Sequence, residues 1–517
     1  MAASFLEIAI AIAVVAATTV AWRVFNWVWL RPKKLEKHLK KQGFHGNSYR
    51  FLYGDSKENM SMLMATRSNP VPISHDVPSR TTPFLCDLVR NYGKRTFFWA
   101  GPAPRVVIMN PEMVKEVLNK NSKYQKPKEH PMFKLFIHGL PTIDGSKWTT
   151  HRRLLNPAFH AEKLKGMLPA FDLCCYEMTI KWMEMIGDER NSCEIDVWPS
   201  LQTLTSDVIS RTAFGSSYQE GQKVFKLQME QADLAFKALQ PVYLPGFRFI
   251  PTKRNKRMKE IAREVRVLLG GVIEKKMKAV EAGEDSSDDL LGRLLEANSK
   301  EVEQGNKTVG MSIEDVMEEC KVFYFAGQDT TSVLLVWTLV LLSMYPDWQD
   351  RARQEVLQVF EDGKADIGHL NHLKTVTMIL YEVLRLYPPV AALIRQINEE
   401  ITLADMTLLP GMQIVLPINQ IHQDHDIWGA DAKEFNPERF SEGVSKATKN
   451  QVAAFFPFGA GPRICIGQNF ALVEAKLAMA RILRKFSFEL SPSYKHAPVD
   501  KITLQPEYGA RLILHKL

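Results

Sequence analysis

The first long pattern in this sequence is apolar on every side. Residues 8–22 carry no charge, and after Arg23 the run 24–30 extends them, close to the ~20 residues a membrane-spanning helix needs. A basic amphipathic stretch follows at 33–42, then a turn at 43–47. Val- and Phe-rich alternation, punctuated by Gly101 and Pro111, predicts strands at 95–99 and 105–109. Helical periodicity then dominates from 156 to 361, with a charged surface patch at 253–257 and an acidic, Ser-bearing loop at 283–289. Strand patterning returns at 401–403, 413–417 and 512–515, and residues 470–486 read as a helix. The fold class expected is mainly α with small peripheral β-sheets.

One helix stands out for its length. Ser312 and Asp315 form a capping-box pattern at its start, and Pro346 stops it just after Tyr345. Its middle, Phe325-Ala326-Gly327-Gln328-Asp329-Thr330-Thr331, concentrates poor helix formers in an apolar run, which predicts a local distortion. A helix–helix contact through small residues, with Thr bonding back to a carbonyl, is the other account of the same letters.

Length and composition change this picture little. The 517 residues are 45% hydrophobic and 24% charged, with no repeat or linker-like stretch. The division expected is an anchor at 1–30, a basic hinge at 31–50 and one catalytic domain at 51–517. Part of the +8 net charge is local, since Arg31, Lys33, Lys34, Lys37, Lys40 and Lys41 follow the apolar run. Glu7 is the one charged side chain before that run, so the positive-inside rule places the N-terminus in the lumen and the body in the cytosol. That orientation leaves the glycosylation patterns Asn59-Met60-Ser61 and Asn306-Lys307-Thr308 unused. No basic stripe with interleaved aromatics suggests nucleic acid as a partner. Six cysteines without zinc spacing suggest reduced thiols.

Candidate chemistry centres on Cys465, within Phe458-Gly459-Ala460-Gly461-Pro462-Arg463-Ile464-Cys465-Ile466-Gly467. A thiolate can be the axial ligand of haem iron. Gly461 and Gly467 permit a tight loop and close backbone approach to a flat macrocycle, Phe458 can wall off the sulfur, and Arg463 offers donors to a propionate. The dipole of the following helix favours an anionic sulfur. A structural cysteine in a Gly-rich turn fits the same letters taken alone.

Phe-x-x-Gly-x-Arg-x-Cys-x-Gly at 458–467 resembles the haem-binding signature of the cytochrome P450 superfamily. Ala326-Gly327-Gln328-Asp329-Thr330-Thr331 resembles that family's oxygen-binding groove. The resemblance implies that Thr330 steadies dioxygen and a water while Asp329 relays protons. Glu382-Val383-Leu384-Arg385 and Pro437-Glu438-Arg439-Phe440 resemble the two segments that form a structural triad, here Glu382, Arg385 and Arg439. Trp148 and Arg152, four apart, and Arg395, after Pro388-Pro389, resemble the family's propionate-binding residues. The cofactor implied is haem b with Cys465 as axial thiolate.

A narrower resemblance covers Asn26-Trp27-Val28-Trp29, the basic stretch, and Gln505-Pro506-Glu507-Tyr508-Gly509-Ala510. These look like plant monooxygenases of the group containing secologanin synthase. The resemblance implies a single-pass enzyme of the endoplasmic reticulum membrane that oxidises a hydrophobic terpenoid, once or successively. A triterpenoid aglycone is expected first, an iridoid or a gibberellin-type diterpene next. Electrons would come from NADPH–cytochrome P450 reductase, with cytochrome b5 as a further partner, since the chain has no nucleotide-binding Gly-rich fingerprint. Two rivals are a haem-thiolate peroxide isomerase, against which Asp329-Thr330 argues, and a non-catalytic haem sensor, which would have no use for a proton relay. Specificity is expected in segments 130–140, 236–247, around Phe323, 390–394 and 503–507, with Phe323, Val390, Ala391, Leu393 and Leu504 lining the pocket, although apolar side chains in these segments fit a core equally well.

Overall fold

The computed structural model describes residues 2–67, 70–216, 218–239, 246–282, 289–303, 310–361, 366–449 and 453–517. Most of the expected acidic loop (283–288), part of the expected 236–247 specificity loop (240–245) and the Asn306 glycosylation pattern lie outside them.

Helix α1 (Ala2–Phe25) is exposed along its apolar length and continues through a wide turn at Asn26–Leu30 into α2 (Arg31–Lys41). The segment Phe5–Lys41 is long and apolar enough to cross a membrane. Its C-terminal end is seated on the body. Tyr49 donates through its hydroxyl to the Val28 carbonyl at 2.6 Å, and the Arg31 guanidinium donates to the Pro410 carbonyl at 3.0 Å. Leu35 and Leu39 of α2 are buried, so the stretch expected as a hinge is a docked helix with Lys side chains outward.

Strands β1 (Phe97–Ala100) and β2 (Ala103–Val107) form a hairpin that starts two residues off the expected positions. Helices α3 (Gly145–Leu155), α4 (Ala161–Ile186) and α5 (Val197–Phe214) follow, with β3 (Ser192–Asp196) between the last two. Helix α6 (Ile313–Met344) is the axis of the body. Ser312 accepts from the Asp315 amide at 3.1 Å, and the Asp315 carboxylate accepts from the Ser312 amide at 3.2 Å, closing the capping box. Its apolar window is 83% buried, so its hydrophobicity builds a core. A Cβ on Gly327 would lie 2.7 Å from the Ile209 side chain, so α5 presses on α6 where only glycine fits.

Helix α7 (Lys374–Leu386) leads to β4 (Leu393–Gln396) and β5 (Gln413–Leu416). These complete a sheet of order β1-β2-β5-β4, with β2 and β5 parallel and the other pairs antiparallel. Helix α8 (Gln468–Lys485) is followed by β6 (Phe486–Leu490), the hairpin β7 (Pro498–Lys501) and β8 (Thr503–Pro506), and β9 (Arg511–Lys516). Strand β9 lies between β3 and β6. The expected class, helical with small sheets at the margins, is the fold observed.

Candidate functional site

Cys465 lies three residues before α8, in a loop held by its own backbone. The Cys465 amide donates to the Phe458 carbonyl at 2.8 Å, so Phe458 closes the loop on which the sulfur sits. Gly461 has φ +67, and a Cβ there would lie 2.5 Å from the Leu118 carbonyl, so this position requires glycine. Burial raises the Cys465 thiol pKa, while the Gly467 amide and the Arg152 charge pull it down. Cys465 is nevertheless exposed, whereas Cys174, Cys175 and Cys320 are buried, so it is not a packed core thiol.

Helix α3 ties that loop to α6 through consecutive residues. The Arg152 guanidinium donates to the Ile464 carbonyl at 2.8 Å, next to Cys465. His151 Nδ1 lies 2.6 Å from Glu319 Oε1, and both side chains are buried. A column of rings does the same from the core, with Phe159 centred 5.7 Å from Phe323 on α6 and 6.3 Å from Phe470 on α8.

Beside the loop is a surplus of positive charge. The Arg463 guanidinium is 4.5 Å from the Trp148 ring centre and donates to the Ile143 carbonyl at 2.9 Å and to the Asp144 carboxylate. Arg395, 3% exposed, donates to the Ile394 carbonyl at 3.0 Å. Burial and the Arg463 charge lower its pKa to about 10. Lys126, absent from the sequence-based candidates, joins them; burial and the charges of Arg395 and Arg463 lower its pKa to about 7. Nε of Arg395 and Nε of Arg463 are buried without acceptors. Three cations around one carboxylate, with two orphaned donors, fit an anionic group, and the two propionates of haem have that chemistry.

On α6 the two halves of the expected acid–alcohol pair diverge. Thr330 is partly exposed, one turn from the partly exposed Ala326, and its hydroxyl donates to the Ala326 carbonyl at 2.8 Å. Residues 325–331 are α-helical throughout, without the expected break, and the close contact at Gly327 with the Thr330 back-bond is the small-residue packing that the same letters also allowed. Asp329 is fully buried and faces the β7–β8 hairpin, where its carboxylate accepts from the Thr503 hydroxyl and, at 3.0 Å, from the Gln505 amide.

Glu382 and Arg385 meet on α7. Arg439 comes within 3.6 Å of Glu382, but its closer carboxylate is Asp431 at 2.7 Å, a partner that no local motif marks. Of the expected pocket residues, Phe323 and Leu504 are core, 6% and 2% exposed. Ala391 is also buried, while Val390 and Leu393 are partly buried against the sheet's core. An apolar wall does form from Met132, Phe136, Ile137, Val322 and Phe325, with Ala326 and Ile502 packed against it.

Comparison with known proteins gives a family model described as Cytochrome P450, matching residues 78–513. The chain is 62% identical to Cytochrome P450 72A397 of Kalopanax septemlobus, covering 96% of this chain and 95% of that one. It is 58% identical to Cytochrome P450 CYP72A219 of Panax ginseng, over 98% of each. It is 51% identical to Secologanin synthase 2 of Catharanthus roseus, over 96% of this chain and 95% of the relative.

Proposed function

The chain belongs to the cytochrome P450 family, in its plant 72A group, and from that premise we propose that it oxidises a hydrophobic terpenoid at the endoplasmic reticulum membrane. It is a monooxygenase that carries haem with a cysteine thiolate on iron. Bound haem supplies the reduction of O₂, one oxygen atom entering a C–H bond and the other leaving as water with two electrons and two protons.

In this reading Cys465 is the thiolate. The Gly467 amide and the Arg152 charge favour its anion against burial. Arg463, Arg395 and Lys126 bind the propionates, with Trp148 stacked on Arg463, and Arg152 holds the Cys loop through Ile464. Thr330 keeps a hydroxyl on the open face of α6, where it can pass a proton, and Asp329 is the acid behind it. Glu382, Arg385 and Arg439 keep the core closed. Residues 1–30 anchor the protein with its N-terminus lumenal, 31–50 join anchor to body, and 51–517 are catalytic. A separate NADPH–cytochrome P450 reductase delivers the electrons, with cytochrome b5 as a further donor.

The substrate proposed is a triterpenoid aglycone. The observation that carries the terpenoid class is full-length likeness to a group that includes a protein named secologanin synthase. The apolar wall of Met132, Phe136, Ile137 and Phe325 agrees with a ligand of few polar groups. That relative's name also favours an iridoid as the second reading, with a gibberellin-type diterpene third. Reductase-containing microsomes given oleanane, iridoid and diterpene panels, with fatty acids and phenylpropanoids beside them, read by mass, test this. Hydroxylated or carboxylated oleananes are expected; conversion of only fatty acids or phenylpropanoids would overturn the substrate class.

A further inference from the structure

Asp329 has an uncommon environment for a buried carboxylate. It is 0% exposed, and among the described residues no cation is its ion-pair partner. A buried charge without a counter-ion persists only if hydrogen bonds replace its hydration. Two donors do so here, both from β8 and two residues apart, hence on one face of the strand. The Thr503 hydroxyl donates to one carboxylate oxygen, and Gln505 Nε2 donates to the other at 3.0 Å. Gln505 also donates to the Thr503 oxygen at 3.2 Å, so the Thr503 hydroxyl is left to point its proton at Asp329.

The hairpin that carries these donors is built tightly. Only Ile502 separates its strands, and it has φ +79, a conformation costly for a β-branched residue. Its side chain packs against the apolar wall that includes Phe325 and Ala326, which holds the turn in place. Trp337, two turns along α6 from Asp329, donates through Nε1 to the Leu504 carbonyl at 2.7 Å and fixes β8 on the helix. On the facing strand Lys501 is paired with Thr503, and Asp500, buried beside Arg67, is paired with Leu504.

We propose that Thr503 and Gln505 are positioning residues for the reaction: they hold the Asp329 carboxyl in a set orientation and stabilise its charged form, so that it can both give up and regain a proton during turnover. The proposal rests on the reading of Asp329 as the acid behind Thr330. Burial raises the Asp329 pKa to about 6, and the two donors oppose a further rise. The acid therefore sits near neutrality, where proton exchange is most effective. Removing a donor penalises only the charged form, so its cost is present above that pKa and absent below it.

Two measurements on Thr503→Val, Thr503→Ser and Asp329→Asn test this. The first needs no turnover: thermal stability of the haem-loaded protein against pH. Thr503→Val is expected to lose more stability at pH 8 than at pH 5, Thr503→Ser to lose little, and Thr503→Val in an Asp329→Asn background to show no such pH difference. The second is product formed per NADPH, with the panel compound that the unmodified enzyme converts fastest. Thr503→Val should lower it several-fold and shift its pH profile upward without weakening the spectral binding of that compound, and Thr503→Ser should restore both. An unchanged product ratio and a pH-independent stability loss in Thr503→Val, with Asp329→Asn uncoupled, would overturn the positioning role alone. A fully coupled Asp329→Asn would overturn the reading of Asp329 beneath it.

Discussion

The guanidinium of Arg385 grips the carboxylate of Glu382 through two hydrogen bonds of 2.7 Å, and neither side chain is exposed. Arg385 also donates to the carbonyls of His422, Ala432 and Glu434, and Glu382 accepts from the Asn436 amide at 2.9 Å. The pair therefore nails α7 to the segment that leads into the Cys465 loop. Removing the anion leaves a buried cation, at a cost of about 3–5 kcal/mol. Glu382→Ala is expected to yield little haem-loaded protein and a lowered unfolding midpoint. Normal haem content would show that the pair is dispensable.

Thr330 offers the open face of α6 its hydroxyl. Thr330→Ala should bind haem and substrate as the unmodified enzyme does, yet release more hydrogen peroxide per NADPH consumed. An unchanged product-to-NADPH ratio would remove Thr330 from proton delivery.

A chain of rings away from the site predicts the acid response. His75 lies 2.8 Å from the Tyr345 hydroxyl and 3.1 Å from that of Tyr387, and His496 lies 3.0 Å from the Tyr494 hydroxyl. Burial lowers the pKa of each imidazole to about 4. The unfolded chain takes up these protons near pH 6.5 and the folded one only near pH 4, so stability is lost as pH falls through that window. The loss is about 2 kcal/mol per histidine between pH 7 and pH 5. Thermal unfolding at both pH values should show it, and His75→Gln/His496→Gln should flatten the dependence. Equal midpoints at pH 7 and pH 5 would contradict it.

Deleting residues 1–30 should abolish tight membrane integration and leave haem binding intact, because α1 makes no part of the core and Val28, the one buried residue among the described residues removed with it, is held by Tyr49 and not by the Cys465 loop. The Lys side chains of α2 should still hold the protein at anionic lipid until salt releases it. Full-length protein extracted by alkaline carbonate would contradict a spanning helix.

What the sequence disclosed, and what it withheld, divides along sequence distance. The capping box at Ser312, the Pro346 stop and the glycines of the Cys465 loop act on near neighbours, so their letters suffice. The β7–β8 hairpin was invisible because its turn is Ile502, where turn chemistry leads one to expect Gly or Asn. The clamp on Asp329 joins residues 174 and 176 positions apart, and no local pattern encodes it. Lys126 was missed for the same reason, since one Lys in a basic segment carries no mark of the charges that surround it. Phe323 read as pocket because apolar letters on a helix do not say which face meets Phe159.

The assignment of the thiolate to Cys465 is tested most directly by the reduced, CO-bound absorption spectrum of purified protein. The unmodified enzyme is expected to show the red-shifted band of thiolate-ligated haem, and Cys465→Ser, whose hydroxyl is a poor donor to iron at neutral pH, to lose it. A Cys465→Ser protein that keeps that band would contradict the assignment.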